Sequence, residues 1–411
     1  MKTFRTVSFL LSFLTGCIAS FSQVSSSPYT YFGQGQIEEH CFGTGMAMGG
    51  TGIAFKSGTS LNQLNPASYS GIDSARFLFE LGIFAKYSSF NTRSAAETKF
   101  DANVRYLAMG FRAMPRWGMS IGLLPYSSVR YEINTTSLVD GTDVSYSRNF
   151  IGEGGINQLY WGHAVTLAEN LVAGINLSYL FGKIDYSEQA SFDEDINNYQ
   201  LVKTLHANTF MADYGLQYSF GNRKWETVLG LTYGAAHPLS ATSTYGFTTS
   251  SDTVELETDR ESLQVPARIG TGISFTLRER MRAGFDYEWQ ESDKLHFSNR
   301  QIETRNSERF SLGLEFLPSK RAKQVFLKDL YYRLGMGYTK SYLVLDGIGL
   351  NRMAVTAGFG LPVGPNNNLV NFSFEYGRYG SMYHNLIRED YLVIHLNYSL
   401  KETWFLKRKF N

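Results

Sequence analysis

The chain has 411 residues, of which 15% are Phe, Tyr or Trp, 39 are Gly and 9 are Pro, while charged residues make up 18% and nearly cancel at a formal net charge of +1. This balance excludes the basic footprint of a nucleic-acid-binding protein, and the aromatic, glycine-rich composition leans to β-structure. Two cysteines, Cys17 and Cys41, are too few for a thiolate metal cluster.

Met1 to Ser22 carries Lys2 and Arg5, an apolar core from Val7 to Ala19, and Ser20-Phe21-Ser22 ahead of Gln23. That is the layout of a cleaved export signal, so the sequence predicts a protein that leaves the cytoplasm. Leu14-Thr15-Gly16-Cys17 offers a second cut, a lipobox at which Cys17 would be lipidated. Cleavage near Ser22 is the expected one, because Ile18-Ala19 continues the apolar run. It leaves Cys41 without a disulfide partner. Beyond the signal no segment approaches the roughly 18 consecutive apolar residues of a spanning helix, so any membrane crossing must be made by strands.

Residues 23–75 are expected to form an N-terminal plug on the periplasmic side of a lumen. Its centre runs from Gly43 to Gly71, where Gly43, Gly45, Gly49, Gly50 and Gly52 allow close backbone approaches and Asn65-Pro66 ahead of Ala67 reads as a fixed turn. Met46, Met48, Ile53, Phe55 and Leu64 are too apolar for a solvated linker. A dinucleotide-binding loop is excluded, since Met48 stands at the sixth place of G-x-G-x-x-G and no strand-to-helix context surrounds it.

From Arg76 to Lys401 the chain alternates with period two. Phe77, Phe79, Leu81, Ile83 and Tyr87 oppose Arg76, Glu80 and Lys86; Met281, Ala283, Phe285 and Tyr287 oppose Arg282, Gly284, Asp286 and Glu288. One face apolar with aromatics near strand ends and the other polar is the pattern of a barrel facing lipid around a polar lumen. Short turns such as Ala168-Glu169 and Arg278-Glu279 alternate with long polar stretches at Asn134 to Gly155, Tyr186 to Gln200 and Pro238 to Leu263. The fold class predicted is therefore an all-β, transmembrane, antiparallel β-barrel of about fourteen strands, short turns towards the periplasm. Such a lumen is too wide for wall side chains to fill, and the plug is the available filling. The lumen charges Arg76, Glu80, Lys86, Arg282, Asp286, Glu288, Glu315 and Glu375 are expected to form a network anchoring it. On this facing, charge at lipid-side Phe285 is expected to be costly and a substitution at lumen-side Gly284 tolerated. Residues 402–411 form a basic tail at the periplasmic end.

No reaction chemistry is legible. The seven histidines are scattered, and neither H-E-x-x-H nor G-x-S-x-G occurs. No enzyme activity, metal or cofactor is expected.

The Gly43 to Gly52 stretch, followed after a spacer by Asn65-Pro66-Ala67 ahead of the first strand, resembles the N-terminal signature of outer-membrane transporters of hydrophobic compounds typified by FadL and TodX. The Ser22-Gln23 junction and the tail Trp404-Phe405-Leu406-Lys407-Arg408-Lys409 are similar to members from Bacteroidetes-type bacteria, among them PorV-like barrels of the type IX secretion apparatus. The resemblance implies a fourteen-strand barrel with an N-terminal hatch in the outer membrane of a Gram-negative bacterium. It implies a passive or gated channel for small hydrophobic, fatty-acid-like compounds, with outer-membrane lipid and such a ligand as partners. The alternative is a non-transport binding or assembly barrel serving secretion-system proteins; an apolar lumen pocket favours the channel, a filled and charged lumen the alternative.

Overall fold

The computed structural model describes residues 27–403 except 33–34, 193–197, 223, 250–251, 296–301, 318–328, 365 and 367. The expected signal, the whole Pro318 to Lys328 connection and the tail from Trp404 lie outside the described residues.

The wall consists of β2 (Arg76–Asn91), β3 (Ala96–Met114), β4 (Trp117–Leu138), β5 (Ser145–Ala168), β6 (Leu171–Phe192), β7 (Tyr199–Gly221), β8 (Trp225–Gly234), β9 (His237–Thr249), β10 (Thr253–Val265), β11 (Arg268–Leu277), β12 (Met281–Gln290), β13 (Ile302–Thr304), β14 (Ser307–Phe316), β15 (Tyr331–Leu345), β16 (Ile348–Val363), β17 (Asn368–Gly380) and β18 (Arg388–Thr403). Three staves are broken in two (β8 with β9, β10 with β11, β13 with β14), so the wall closes as a 14-strand antiparallel barrel. Pro266, which has no N–H to donate, marks one break. Closure is made by β18 on β2, in register from Thr403↔Arg76 to Arg388↔Asn91. Lipid-side positions Leu231, Ile273, Phe285, Leu312, Leu334 and Val355 are exposed, as the period predicts.

Several strands run far beyond the expected length. β4 to β7 have 22, 24, 22 and 23 residues, whereas a bilayer needs about 9–11. The stretches read as polar loops, Asn134 to Gly155, Tyr186 to Gln200 and Pro238 to Leu263, are largely strand. Outside hydrocarbon a strand's outer face meets water, so it loses the lipid-facing apolar pattern by which it was sought. Its inner face still needs a core, supplied here by Val129, Tyr131, Ile184, Leu205, Leu239 and Val265.

The described residues between 27 and 75 form a segment inside the barrel. They comprise a 3-10 turn (Pro28–Tyr31), the short strand β1 (Gln36–Ile37), a helical turn (Gly43–Met46) and a second 3-10 turn (Pro66–Gly71). The segment begins near the long-strand end, where the Tyr29 hydroxyl donates to the Ile387 carbonyl at 2.6 Å. It leaves at the short-turn end, where Lys401 Nζ meets Asp73 Oδ2 at 3.3 Å. It therefore spans the lumen from one end of the barrel to the other. Ala47, Met48 and Ala67 are fully buried, and burying a side chain the size of Met48 contributes about 1.5–3 kcal/mol.

Wall glycines make this fit possible. A Cβ on Gly174 would strike the Pro66-Ala67 backbone, and one on Gly335 the Met48-Gly49 backbone. A Cβ on Gly284 would fall 2.5 Å from the Phe55 ring. The tolerance expected at Gly284 is thus corrected: the lumen face of β12 is an occupied surface.

We expect Phe285→Arg to cost about 2–4 kcal/mol of barrel stability, read as lost heat-modifiable band on gels. Gly335→Val should spare the barrel band but unseat the inner segment, at about 1–3 kcal/mol of overpacking, read as faster proteolysis within residues 43–71. Equal loss of the barrel band from both would invert the facing.

Candidate functional site: the occupied lumen and its open seam

The lower lumen is organised by backbone donors meeting wall acceptors. Asp286 accepts from the Gly52 and Ile53 amides at 2.6 and 2.9 Å. Glu80 accepts from the Leu61 amide at 2.7 Å, the Ser399 hydroxyl at 3.0 Å and the Tyr106 hydroxyl at 3.3 Å. Tyr106 in turn accepts from the Gly43 amide at 2.8 Å and stacks on Phe42. An irregular segment inside a barrel must satisfy its backbone somewhere, and carboxylates accepting two amides are efficient partners.

Asn65 is the most connected member of the turn. Its side chain accepts from the Ala67 amide at 3.0 Å and donates to the Ile53 carbonyl at 2.8 Å and, across the wall, to the Leu216 carbonyl at 3.2 Å. Pro66 opens the following 3-10 turn with its φ already set. Gly45 packs on Cys41, and Gly49 and Gly50 take φ of +66° and +84°, where a side chain would be strained.

The remaining sequence-derived charges divide. Lys86 pairs with Glu389 at 2.6 Å, Arg282 with Glu315 at 3.3 Å, and Glu375 with Arg352 at 2.7 Å. These are wall-to-wall pairs. Arg76 bonds Thr403 at the short-turn end, away from the others, and Glu288 lines the cavity above the segment. So Glu80 and Asp286 hold the segment by hydrogen bonds, and Arg282 also lies over the Phe55 ring of the segment at 5.4 Å, while Arg76 and Glu288 do not hold it.

Sequence reasoning missed the centre of the lumen. Glu39, on the inner segment, is gripped by Arg309 at 3.3 Å and Arg352 at 3.2 Å. Burial pushes its carboxyl up, but the two guanidiniums outweigh that and hold it below the usual carboxylate range. Next to it His40 is buried with neither ring nitrogen hydrogen-bonded. Burial, reinforced by Arg268, Arg309 and Arg105, drives its imidazole well below the ordinary value. Cys41 follows, its thiol raised to about 12 by burial. A Glu-His-Cys run in a glycine-rich stretch carries no motif, so only its enclosure by Arg309 and Arg352 gives it meaning.

Above Glu39 lies a cavity with about 1250 Å³ of atom-free space, open to solvent. Tyr126, Met211, Val265, Ile37, Leu64 and Tyr342 supply apolar surface, and Arg268, Arg309, Glu288 and Gln290 supply polar groups. A second space, of about 1520 Å³, leads from the lumen groups Glu38, Arg352, Glu375 and His395 to Val104, which is 47% exposed on the lipid side.

That passage exists because the wall is incompletely paired between β3 and β4. Among the described residues their register runs only from Met114↔Trp117 to Leu107↔Leu123. Above it β3 pairs with β2 alone on its other side, and β4 with β5. Pro125 cannot donate to a ladder, β4 bulges between Pro125 and Ser127, and Gly154 opposite takes φ of +114°. β4 thereby turns inward, and β1 takes its edge: Gln36 pairs with Ser128, Ile37 with Ser127, and the Glu38 amide donates to the Tyr126 carbonyl at 3.0 Å. Across the opening Arg130 meets Asp101 at 3.2 Å, and Arg105 reaches the Glu39 carbonyl at 3.3 Å. A proline inside an apolar run, Leu123-Leu124-Pro125, was the one signal in the sequence for this seam.

A family model described as BamG matches residues 2–411. No curated protein matches the chain. Among solved structures it is similar to the Ralstonia pickettii toluene transporter TbuX (16% identity, TM-score 0.60, covering 89% of this chain and 99% of that one). It is also similar to the P. putida toluene transporter TodX (15%, 0.60, 90% and 100%) and to a Pseudomonas aeruginosa FadL homologue (12%, 0.56, 90% and 99%). At these identities the likeness establishes a FadL-type barrel fold.

His40 gives the site a pH dependence. It is neutral when enclosed but titrates near its ordinary 6.5 when released, so the released state binds more protons at low pH and seating weakens as pH falls through that range. Proteolysis of residues 43–71 should rise more steeply, from about pH 7.5 to about pH 5.5, in the intact chain than in His40→Phe. An unchanged slope in the variant would remove His40 from the account.

Proposed function

The chain belongs to the BamG family, and from its FadL-type fold and the shape of its lumen we propose that it is an outer-membrane transport barrel for small amphipathic compounds with a largely hydrophobic body. Residues 43–71 act as its gate, anchored through Gly43, Gly52, Asn65 and the wall carboxylates Glu80 and Asp286. The observation that carries the reading is the run of lining from the upper cavity past Arg352 and Glu375 to lipid-facing Val104. A compound held in the cavity against Tyr126, Met211 and Val265 has a sideways route into hydrocarbon that avoids the filled lower lumen. The described functions of the similar barrels, toluene transport among them, support the transport of a hydrophobic body.

The polar groups set the substrate class. Arg268, Arg309, Glu288 and Gln290 around the cavity, and Asp101, Arg105 and Arg130 at the seam, favour a compound with at least one polar end over a bare hydrocarbon.

A second reading rests on one feature. The lower lumen is filled, and its carboxylates Glu80, Asp286, Glu315 and Glu375 already have partners. A barrel closed by its own residues also suits a binding or assembly protein, for which secretion-system proteins are the partners proposed.

Planar-bilayer recording separates them. The intact chain should conduct little or flicker, Asn65→Ala should raise the open fraction by removing the segment's hold on Ile53 and Leu216, and deletion of residues 33–70 should give a large stable pore. A deletion variant that inserts normally yet conducts no more than the parent would sink the gate. Failure of the intact protein to bind a fluorescent fatty acid in detergent would favour the assembly reading.

A further inference from the structure

Above Leu123, β4 keeps one edge on β5 and has lost β3 from the other, and from Tyr126 to Arg130 that second edge is occupied by the inner segment. Gln36 and Ile37 pair with Ser128 and Ser127, the Glu38 amide donates to Tyr126, and the Arg130 amide donates to the Thr30 hydroxyl at 3.1 Å. This is also the edge that would have to meet β3 for the wall to close. A strand edge holds one neighbouring strand at a time, because each amide has one hydrogen to donate and two strands cannot lie in the same place beside it.

We propose that β1 and β3 compete for the Tyr126 to Arg130 edge, so that the lumen opens either sideways or endwise but not both. With the inner segment seated, β4 bends in to β1 and the seam stands open. With the segment withdrawn, β4 swings out onto β3 and seals the wall. The lumen is then open along its axis only.

The register supports a second, closed pairing. Continuing the ladder upward from Leu107↔Leu123 brings Asn103 opposite Ser127 and Asp101 opposite Val129. Asp101 and Val129 are both buried on the lumen side, so the facing matches. Each strand carries an irregularity at this level, at Arg105 on β3, beside the register shift on β2, and at Tyr126 on β4. The two offset one another and leave the pairs above in step. The Asp101–Arg130 ion pair already spans the gap and would guide the strands together. Unpaired backbone at membrane depth supplies the drive, since hydrocarbon cannot hydrogen-bond it. The inference goes beyond the transport reading: an assembly barrel would carry the same device.

Paired cysteines test it in the full chain with Cys41→Ala. Gln36→Cys with Ser128→Cys should cross-link on oxidation in the resting protein. Asn103→Cys with Ser127→Cys should stay reduced there and cross-link once Ile37→Pro is added to weaken β1. Thr30→Ala with Glu38→Ala, which removes side-chain ties to Arg130 and Ser128, serves the same end without proline, and heat-modifiability reports that each variant folds. Cross-linking of 103 to 127 to the same extent in resting and weakened protein would show that β1 does not exclude β3. Its absence from both folded weakened variants would show that β3 is not the alternative partner. Either result overturns the proposal.

Discussion

The structure depends on the need of every backbone amide and carbonyl in hydrocarbon for a partner. That need makes the wall a closed ladder, with β18 returned to β2 over sixteen consecutive pairs. It also makes the exception informative. Where Pro125 breaks the ladder between β3 and β4, the edge of β4 is satisfied from inside, by β1, Glu38 and Thr30. The seam and the inner segment are one construction in hydrogen-bonding terms.

The same accounting governs the lumen. An irregular segment of glycines and small turns exposes more amides than it can bond internally, and the wall answers with carboxylates set at fixed heights: Asp286 under Gly52 and Ile53, Glu80 beside Leu61. Glycines on facing strands, Gly174 and Gly335 among them, bring the two backbones together. Lys86, Arg282 and Glu375 are paired across the wall, and Glu39 is held between two arginines. The cost of a lone charge in such a space explains why so many ionisable groups here come in sets.

A FadL-type fold and membership of the BamG family sit together without conflict, because a fold fixes a scaffold and leaves the interior to be refitted. In this chain the interior is filled below, where a buried apolar cluster sits among the hydrogen-bonded carboxylates, and mixed above, so the amphipathic cavity and the seam, rather than an apolar shaft, carry the proposed route. Its charged rim at Asp101, Arg105 and Arg130 sets it apart from an opening suited to bare hydrocarbon.

The barrel class and strand number were legible because period two is a local property: Phe285 and Leu334 must point to lipid if Asp286 and Arg333 point inward. Anchors Glu80 and Asp286 stood out for the same reason, as carboxylates on the inward phase. Strand ends were not legible, since above the bilayer the outer face meets water and β5 and β9 no longer look like membrane strands. Nor were Glu39, His40 and the seam. Those rest on contacts between residues such as Glu39 and Arg309, or Ile37 and Ser127, far apart in the chain and without spacing to betray them. The sequence by itself determined which face of each strand is which and which segment was available to fill the lumen; the three-dimensional packing alone decided how that segment is seated and where the wall is left open, because those follow from competition between distant segments for the same hydrogen-bonding groups.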